Sequence, residues 1–273
     1  MKLSLNPGHF SQNRSNEAKR TEKEILTLIK AAGFNLVDYD GVMSEDIYKT
    51  AELLNEMGIK VNQSHSPYNR YKKEDYTEFA KKVIKGIEDA HILSSDIYVV
   101  HGDEFDFANL TYSREAVLEF NYNLFYPVVD FAAKNNMKVA FETVFDEPGS
   151  TPRFCSETED LITLVEKFNC ENVGICWDFG HAKVQAPENH LENLKLAGSR
   201  VISTHVHDNH HNMDLHLMPF FGNCNWESAM QVLKDINYKG DFTFELVYDN
   251  LPTQFLPDQL SLLHKLGEYL LSL

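Results

Sequence analysis

The stretch from residue 138 to residue 178, KVAFETVFDEPGSTPRFCSETEDLITLVEKFNCENVGICWD, contains one complete unit of the fold. It begins with a short apolar run that ends on Glu142, and it finishes with a second such run that ends on Asp178. Between the two runs, Ser156 is followed by Glu159, a pair typical of the capping box at a helix N-terminus. The stretch therefore predicts a strand, a helix and a strand, with an acidic side chain at the end of each strand.

The same unit recurs along the chain. Eight apolar runs of strand length alternate with helix-length segments, at LSLN (3–6), NLVDYD (35–40), IKVNQSH (59–65), DIYVVHG (96–102), KVAFE (138–142), VGICWD (173–178), VISTHV (201–206) and FTFEL (242–246). Their continuous apolar character favours a parallel sheet that is covered on both faces or closed on itself. Eight units in 273 residues fit an α/β protein with a single (β/α)8 TIM barrel domain over residues 1–273. An open doubly wound sheet is the competing fold, but NPGHFSQN after the first run is not the GxGxxG motif expected there.

The composition limits the partners and the compartment. The chain has 25 Lys and Arg against 41 Asp and Glu, a net charge of −16, so its average surface repels phosphate backbones and anionic membranes. The four cysteines form no CxxC pair, and no apolar stretch is long enough for a signal peptide or a membrane span. We expect a soluble, cytoplasmic protein that binds a small molecule and neither nucleic acid nor membrane. Monomer and homo-oligomer both stay open.

A row of metal-binding side chains closes six successive runs. They are His65, His101, Glu142, Asp178, His205 and Glu245. The carboxyl ends of parallel strands meet on one face of a barrel, where active sites are built. The last four residues of the row supply three carboxylates and one imidazole, which suit Mn²⁺, Co²⁺, Mg²⁺ or Zn²⁺. The sequence therefore predicts a place that can bind a divalent metal ion.

Two neighbouring segments add further candidates. Asp178 and His181, in WDFGH, lie three residues apart across the turn that leaves the sixth run, so both can face one pocket. Asp214 and His216 form a D-x-H pair that could close over a ligand. The segment HVH contains His205 and His207. We take these two histidines to alternate on a strand, so that only one of them points into the barrel. We expect that one to be His205.

The chain resembles the sugar phosphate isomerase/epimerase superfamily, the xylose-isomerase-like barrels, in the motifs HSPY, VVHG, FE, WDFGHA, HVHD, DLHL followed by FGNCNW, and FEL. The resemblance spans roughly residues 60–246. The superfamily includes ketose 3-epimerases, hydroxypyruvate isomerase, inosose dehydratase and, as a distant branch, endonuclease IV. Two features depart from its pattern: HLMPFFG has Phe220 where a glycine is expected, and the arginine of ketose 3-epimerases is replaced by His211 or Asn212.

The resemblance implies roles for individual residues. In the epimerase branch one metal ion would be bound by Glu142, Asp178, His205 and Glu245. The two glutamates would also act as acid and base, and His181 would contact substrate oxygens. In the endonuclease branch nine residues would hold three zinc ions: His65, His101, Glu142, Asp178, His181, His205, Asp214, His216 and Glu245. The residues outside the four-ligand set are therefore candidates for substrate binding or for additional metals, and Tyr68 and Trp177 could pack against sugar carbons.

These features favour a metal-dependent isomerase or epimerase for a sugar, sugar phosphate or keto-acid, with proton transfer through an enediolate. The first alternative is an endonuclease IV-like multi-zinc phosphodiesterase acting on DNA. The net charge of −16 opposes it, since DNA binding relies on neutralisation of phosphates by Lys and Arg. The second alternative is a non-catalytic, metal-bound carbohydrate sensor.

Overall fold

The computed structural model describes residues 1–8, 20–39, 44–67, 76–102, 113–147, 152–210, 213–248 and 252–273. Strands β1 to β8 in these residues span Leu3–Leu5, Leu36–Asp38, Lys60–His65, Ile97–His101, Lys138–Glu142, Val173–Asp178, Val201–His205 and Phe242–Phe244. Helices α1 to α9 span Glu22–Ala31, Ile47–Met57, Tyr76–Ile92, Arg114–Lys134, Thr158–Phe168, Phe179–Gln185, His190–Ala197, Trp226–Asp235 and Leu256–Ser272. Every strand lies inside a run predicted from the sequence. None of the described helices has the length and apolar character needed to cross a membrane.

The eight strands form a parallel sheet that closes on itself. Neighbouring strands follow the chain order from β1 to β7, and β8 pairs with β1. The remaining seam, between β7 and β8, is closed by Val206, whose amide donates to the Thr243 carbonyl at 2.8 Å and whose carbonyl accepts from Glu245 at 3.2 Å. Earlier in these two strands, the Thr204 hydroxyl bridges the seam. It accepts from the Thr243 amide and donates to the Asp241 carbonyl. The predicted (β/α)8 barrel is confirmed.

The core has an apolar outer layer, aliphatic and aromatic, and a barrel interior of mixed character. Large side chains such as Tyr98, Phe141 and Trp177 are buried in the main core cluster. A separate small cluster contains Val99, Ala140 and Cys176. Since successive strand residues point to opposite faces, this small cluster fills the interior beside β4 to β6. On the other side of the interior, buried polar residues hydrogen-bond to one another: Ser4, Asn62, Gln63 and Thr243.

One predicted helix start is wrong. Helix α5 begins after Glu157 without a side-chain cap, and the Ser156 hydroxyl donates instead to the carbonyl oxygen of Arg153, at 2.9 Å. A complete capping box occurs at α1, between Thr21 and Glu24. Both sites fit the same sequence pattern, so the partner available to the hydroxyl decides which of them forms a cap.

Candidate metal centre

The structure gathers the six predicted strand-end residues at the carboxyl end of the barrel. They are the last residues of β3 to β7 and the residue after β8, namely His65, His101, Glu142, Asp178, His205 and Glu245. Together with side chains from the segments that follow β6 and β7, they form several groups, of which those that contain Glu142 overlap. Within each group the ligand-type atoms lie within 4.8 Å of one another. The topology of the barrel thus produces the proximity that the sequence predicted.

The central group consists of Glu142, Asp178, His205 and Glu245. His205 Nδ1 lies 3.3 Å from Glu142 Oε2 and 3.6 Å from Glu245 Oε2. The same nitrogen lies 3.9 Å from Asp178 Oδ2. The side chain of Glu245 is 13% exposed and that of Glu142 is 1% exposed. Three carboxylates and one imidazole therefore converge in a largely buried space, and Glu245 is the most accessible of the four.

This donor set fits a divalent cation. Buried carboxylates repel one another unless positive charge lies close to them. His205 Nδ1 is buried and makes no hydrogen bond within the described residues, although it faces all three carboxylates. Three oxygen donors with one nitrogen donor match the preferences of Mn²⁺, Co²⁺, Mg²⁺ and Zn²⁺. The choice among these ions stays a prediction.

Protons on the histidines balance the carboxylates when no metal is bound. Burial alone would raise the pKa of Glu142, but the charges of His205 and His101 hold this pKa well below its usual range. Burial alone would lower the pKa of His65, but its hydrogen bond with Glu142 raises the pKa to about 9. The pKa of His205 is likewise raised, because neighbouring acidic groups outweigh the effect of burial. A bound cation would take the place of such protons.

A second group, formed by His65, His101 and Glu142, shares a carboxylate with the first. His65 Nε2 donates to Glu142 Oε2 at 2.9 Å, and its Nδ1 donates to the carbonyl oxygen of Ser66 at 2.7 Å. His101 Nε2 lies 3.4 Å from the same Glu142 oxygen. Because both nitrogens of His65 donate to oxygens, this ring is a cation in the metal-free protein.

A third group lies around Asp214. His181 Nδ1 donates to the carbonyl of Thr143 at 3.0 Å, and His216 Nδ1 donates to the carbonyl of Glu245 at 2.9 Å. These bonds turn Nε2 of both rings toward Asp214 Oδ2, at 3.6 and 3.3 Å. Burial alone would raise the pKa of Asp214, but the two histidines lower it strongly. The D-x-H pair and His181 therefore share one polar cluster.

His207 belongs to this third group as well, so the expectation that only His205 faces the site is wrong. Side chains two residues apart on extended backbone point to the same face, and both histidines are buried and reach Asp178. His207 Nε2 lies 3.0 Å from Asp178 Oδ1, and its ring stacks on that of His216 with the centroids 3.9 Å apart. A Cβ atom on Gly180 would lie 1.8 Å from His207 Cε1, so the glycine of WDFGH makes room for this ring.

Sequence reasoning also missed Asp38. It is the last residue of β2 and is 1% exposed, and its Oδ2 lies 3.0 Å from His205 Nε2. The available signal was its place directly after the apolar pair Leu36 and Val37 in the run NLVDYD, where a carboxylate follows apolar residues as Glu142 and Asp178 do.

The two aromatic residues predicted to pack against substrate have different outcomes. Trp177 belongs to the main core cluster, whereas Cys176 belongs to the interior cluster and Asp178 to the site. Because Trp177 alternates with these neighbours along β6, it faces the helices, and its predicted role at the site is wrong. Tyr68 lies outside the described residues.

The loop after β7 is held by the buried carboxylate of Asp208. Its Oδ1 accepts from the backbone amides of Asn209 and Cys224, at 2.9 and 3.0 Å. Its Oδ2 accepts from the Phe220 amide at 3.0 Å and from Trp226 Nε1 at 2.9 Å. Phe220 has a φ of 72°, which costs a side chain free energy that glycine avoids. Phe220 therefore keeps the left-handed backbone conformation that a glycine would adopt at this position, and its hydrogen bond to Asp208 stabilises that conformation.

A closed parallel barrel with carboxylates and imidazoles gathered at its carboxyl end defines the class of (β/α)8 proteins whose sites are built on that face. The profile of one family, described as xylose isomerase-like TIM barrel, matches residues 26–266, and the chain belongs to this family. The predicted resemblance is confirmed.

Individual relatives show how far the similarity extends. An uncharacterised protein of Methanocaldococcus jannaschii, MJ1311, is 28% identical over 187 residues, which cover 66% of this chain and 62% of that protein. The chain thus spans less than two thirds of this relative's length. The structure of a D-tagatose 3-epimerase-like protein superimposes with a TM-score of 0.77 at 21% identity, covering 100% of this chain and 97% of the other. The IOLI protein with a binding zinc atom superimposes with a TM-score of 0.75 at 18% identity, covering 98% and 97%. At these identities the two structures show a shared fold.

Proposed function

We propose that the protein is a metal-dependent isomerase or epimerase that acts on a small sugar, sugar phosphate or keto-acid. The proposal rests on one observation: Glu142 and Glu245 converge on the same buried space, which also receives Asp178 and His205. The two glutamates come from β5 and from the end of β8, with two strands between them, so they approach this space from different directions. Structural similarity to sugar epimerases supports the proposal.

The chemistry requires two carboxylates with separate tasks. A divalent metal held by the four residues would polarise a carbonyl and an adjacent hydroxyl, which makes the neighbouring C–H more acidic. One glutamate removes that proton to give an enediolate. The other returns a proton to the opposite face in an epimerase, or the first proton moves to the adjacent carbon in an isomerase. Glu245 is the more exposed of the two and therefore the better placed to meet a substrate.

The flanking histidine groups would position the substrate. His65 and His101 lie on one side of Glu142, and His181 lies on another, with Nδ1 at 3.3 Å from Glu142 Oε1. Imidazoles that carry protons donate hydrogen bonds to hydroxyl or phosphate oxygens. With Asp214 and His216, these side chains are either substrate-binding residues or ligands of additional metal ions.

A second candidate function follows from the same geometry. The groups that share Glu142, together with the group around Asp214, resemble a site for several metal ions, which suits phosphodiester hydrolysis. The net charge of −16 opposes DNA binding. Arg153, in the loop after β5, is buried and donates from Nη1 to the carbonyl of Phe145, and residues 207–224 contain neither Lys nor Arg. We therefore rank this function second, and a carbohydrate sensor third.

Deuterium exchange distinguishes these functions. The protein, loaded separately with Mn²⁺, Co²⁺, Mg²⁺ or Zn²⁺, is incubated in D₂O with a panel of ketoses, aldoses, their phosphates and keto-acids. The proposal expects metal-dependent incorporation of deuterium at one carbon, which Glu245→Gln abolishes and Glu188→Gln, at an exposed position, leaves unchanged. Sugar binding without exchange would indicate a sensor. Metal-dependent cleavage of DNA at an abasic site, lost in Glu142→Gln, would establish the phosphodiesterase.

A further inference from the structure

The buried carboxylate of Asp38 concentrates three contacts on one oxygen atom. Asp38 Oδ2 lies 3.1 Å from Asn6 Nδ2, 3.3 Å from Gln63 Nε2 and 3.0 Å from His205 Nε2. The three partners come from β3, from β7 and from the residue after β1, while Asp38 ends β2, and all four side chains are buried. A carboxylate in such a place is held in one orientation by its surroundings.

The orientation of both amide side chains is fixed independently of Asp38. Asn6 Oδ1 accepts a hydrogen bond from the amide of Gly8 at 2.7 Å, so Asn6 must turn its NH₂ group toward Asp38. Gln63 Oε1 accepts from the Thr243 hydroxyl at 3.3 Å, so Gln63 also presents its NH₂ group. Amide orientation is assigned from partners of this kind. Asp38 Oδ2 is therefore an acceptor in both bonds.

The direction of these bonds is set deeper in the barrel. The Thr243 hydroxyl oxygen accepts from Asn62 Nδ2 at 3.1 Å, which leaves its proton for Gln63. Asn62 Oδ1 in turn accepts from the Ser4 hydroxyl at 2.6 Å. The register between β2 and β3 shifts at this level, so that Asp38 pairs with Gln63. Every link in this series donates toward Asp38.

The consequence falls on His205. Because Asp38 Oδ2 acts as an acceptor, the Nε2 atom of His205 must carry the proton that lies between them. The Nδ1 atom is then the ring nitrogen free to coordinate, and it is the atom that faces Glu142 and Glu245. We propose that Asp38 is a positioning residue, which holds His205 with Nε2–H toward Asp38 and Nδ1 toward the metal. This inference rests on the metal centre of the proposed function.

Zinc affinity gives the first test. Competition with a chromophoric chelator measures Zn²⁺ binding to the full-length wild type, Asp38→Leu and Asp38→Asn. We expect Asp38→Leu to bind Zn²⁺ about 10- to 100-fold more weakly, the range observed when a partner of a ligating histidine is lost. Asp38→Asn should lie in between, because its amide oxygen can still accept from Nε2. Asn121→Ala, which removes a buried polar side chain from α4, should leave the affinity unchanged.

Nitrogen-15 NMR on histidine-labelled protein gives a test that does not need metal. The Nε2–H signal of His205, assigned by its loss in His205→Ala, should exchange slowly with solvent in the wild type and in Asp38→Asn. It should exchange fast in Asp38→Leu. Zn²⁺ should shift Nδ1 and leave the Nε2 proton in place. Two results would overturn the inference. One is coordination of Zn²⁺ through Nε2 of His205, and the other is a folded Asp38→Leu variant whose Zn²⁺ affinity stays within about twofold of the wild type. A wild type that binds no Zn²⁺ would refute the proposed metal centre, while the Nε2–H signal would still decide the role of Asp38.

Discussion

Gly180→Ala should destabilise the protein because His207 occupies the space of the missing side chain. The added Cβ would lie 1.8 Å from Cε1, 2.2 Å from Nδ1 and 2.5 Å from Nε2 of the His207 ring. This ring is fully buried between Asp178 and the stacked ring of His216, so it cannot move without losing contacts. Displacement would also lengthen its 3.0 Å contact with Asp178.

The expected loss combines two effects. Overpacking of a filled interior costs about 1–3 kcal/mol, and loss of a hydrogen bond to a charged group costs about 1.5–3 kcal/mol. Alanine recovers up to about 1 kcal/mol as the better helix former, since Gly180 lies in α6. The free energy of unfolding should therefore fall by roughly 3 kcal/mol, measured by equilibrium urea denaturation of the metal-free protein.

A double-mutant cycle isolates the cause. In the His207→Ala background the ring is gone, so Gly180→Ala should be neutral or slightly stabilising. Gly198→Ala serves as a contrasting control, because its Cβ would meet nothing within 4 Å and its φ of 58° predicts backbone strain alone. An equal loss of stability from Gly180→Ala in both backgrounds would refute the role assigned to His207.

Three further predictions concern the site. Glu142→Gln or Glu245→Gln should each lower turnover by at least ~10²-fold, as expected for loss of a general acid or base, with a much smaller change in substrate affinity. The metal-free protein should lose stability as the pH rises through about 9, because the pKa values of His65 and His216 are raised from 6.5 to about 9. The protons on these two histidines contribute stability that is fully present below pH 6.5 and is lost as the pH rises through about 9. The midpoints of urea denaturation, measured across this pH range, test this prediction. Asp208→Ala should leave four donors without their acceptor and accelerate hydrogen exchange of the loop after β7, as mass spectrometry of that loop can show.

Controls for these predictions are available in the chain. Glu188→Gln removes an exposed carboxylate and should preserve turnover. Asn225→Ala deletes the N-cap of α8 and should speed exchange in the first turn of that helix rather than in the loop. Near-normal turnover in both Gln variants, a flat pH profile of stability, or unchanged loop exchange would each contradict the corresponding prediction.

The barrel and most of its strand-end residues could be predicted because both follow from short-range patterns. Glu142 and Asp178 each close an apolar run, and a parallel barrel brings such ends together whatever the helices between them contain. The role of Asp38 was harder to predict, because it depends on the side-chain amides of Asn6 and Gln63, which lie in other parts of the chain. His207 was missed through a wrong expectation of strand alternation.

Other failures have a tertiary cause. Ser156 fits the capping pattern as well as Thr21 does, but a nearby carbonyl takes its hydroxyl. Trp177 was predicted to pack against sugar carbons, but the alternation of side chains along β6 directs it to the opposite side of the sheet. Nearness in sequence indicates which elements meet; the direction of a side chain depends on strand register.

The seam between β7 and β8 gives the proposed metal an additional consequence. The backbone joins these strands at Val206 alone among the described residues, helped by the Thr204 hydroxyl, whereas His205 and Glu245 face each other across it. An ion bound by both would fasten the barrel at this seam. Without metal the chain would lose that fastening, and opening along this line would expose both strand edges to proteases. The stability of the protein in a cell would then depend on the supply of metal, because a ligand at free concentration c that binds only the native state stabilises it by RT ln(1 + c/Kd).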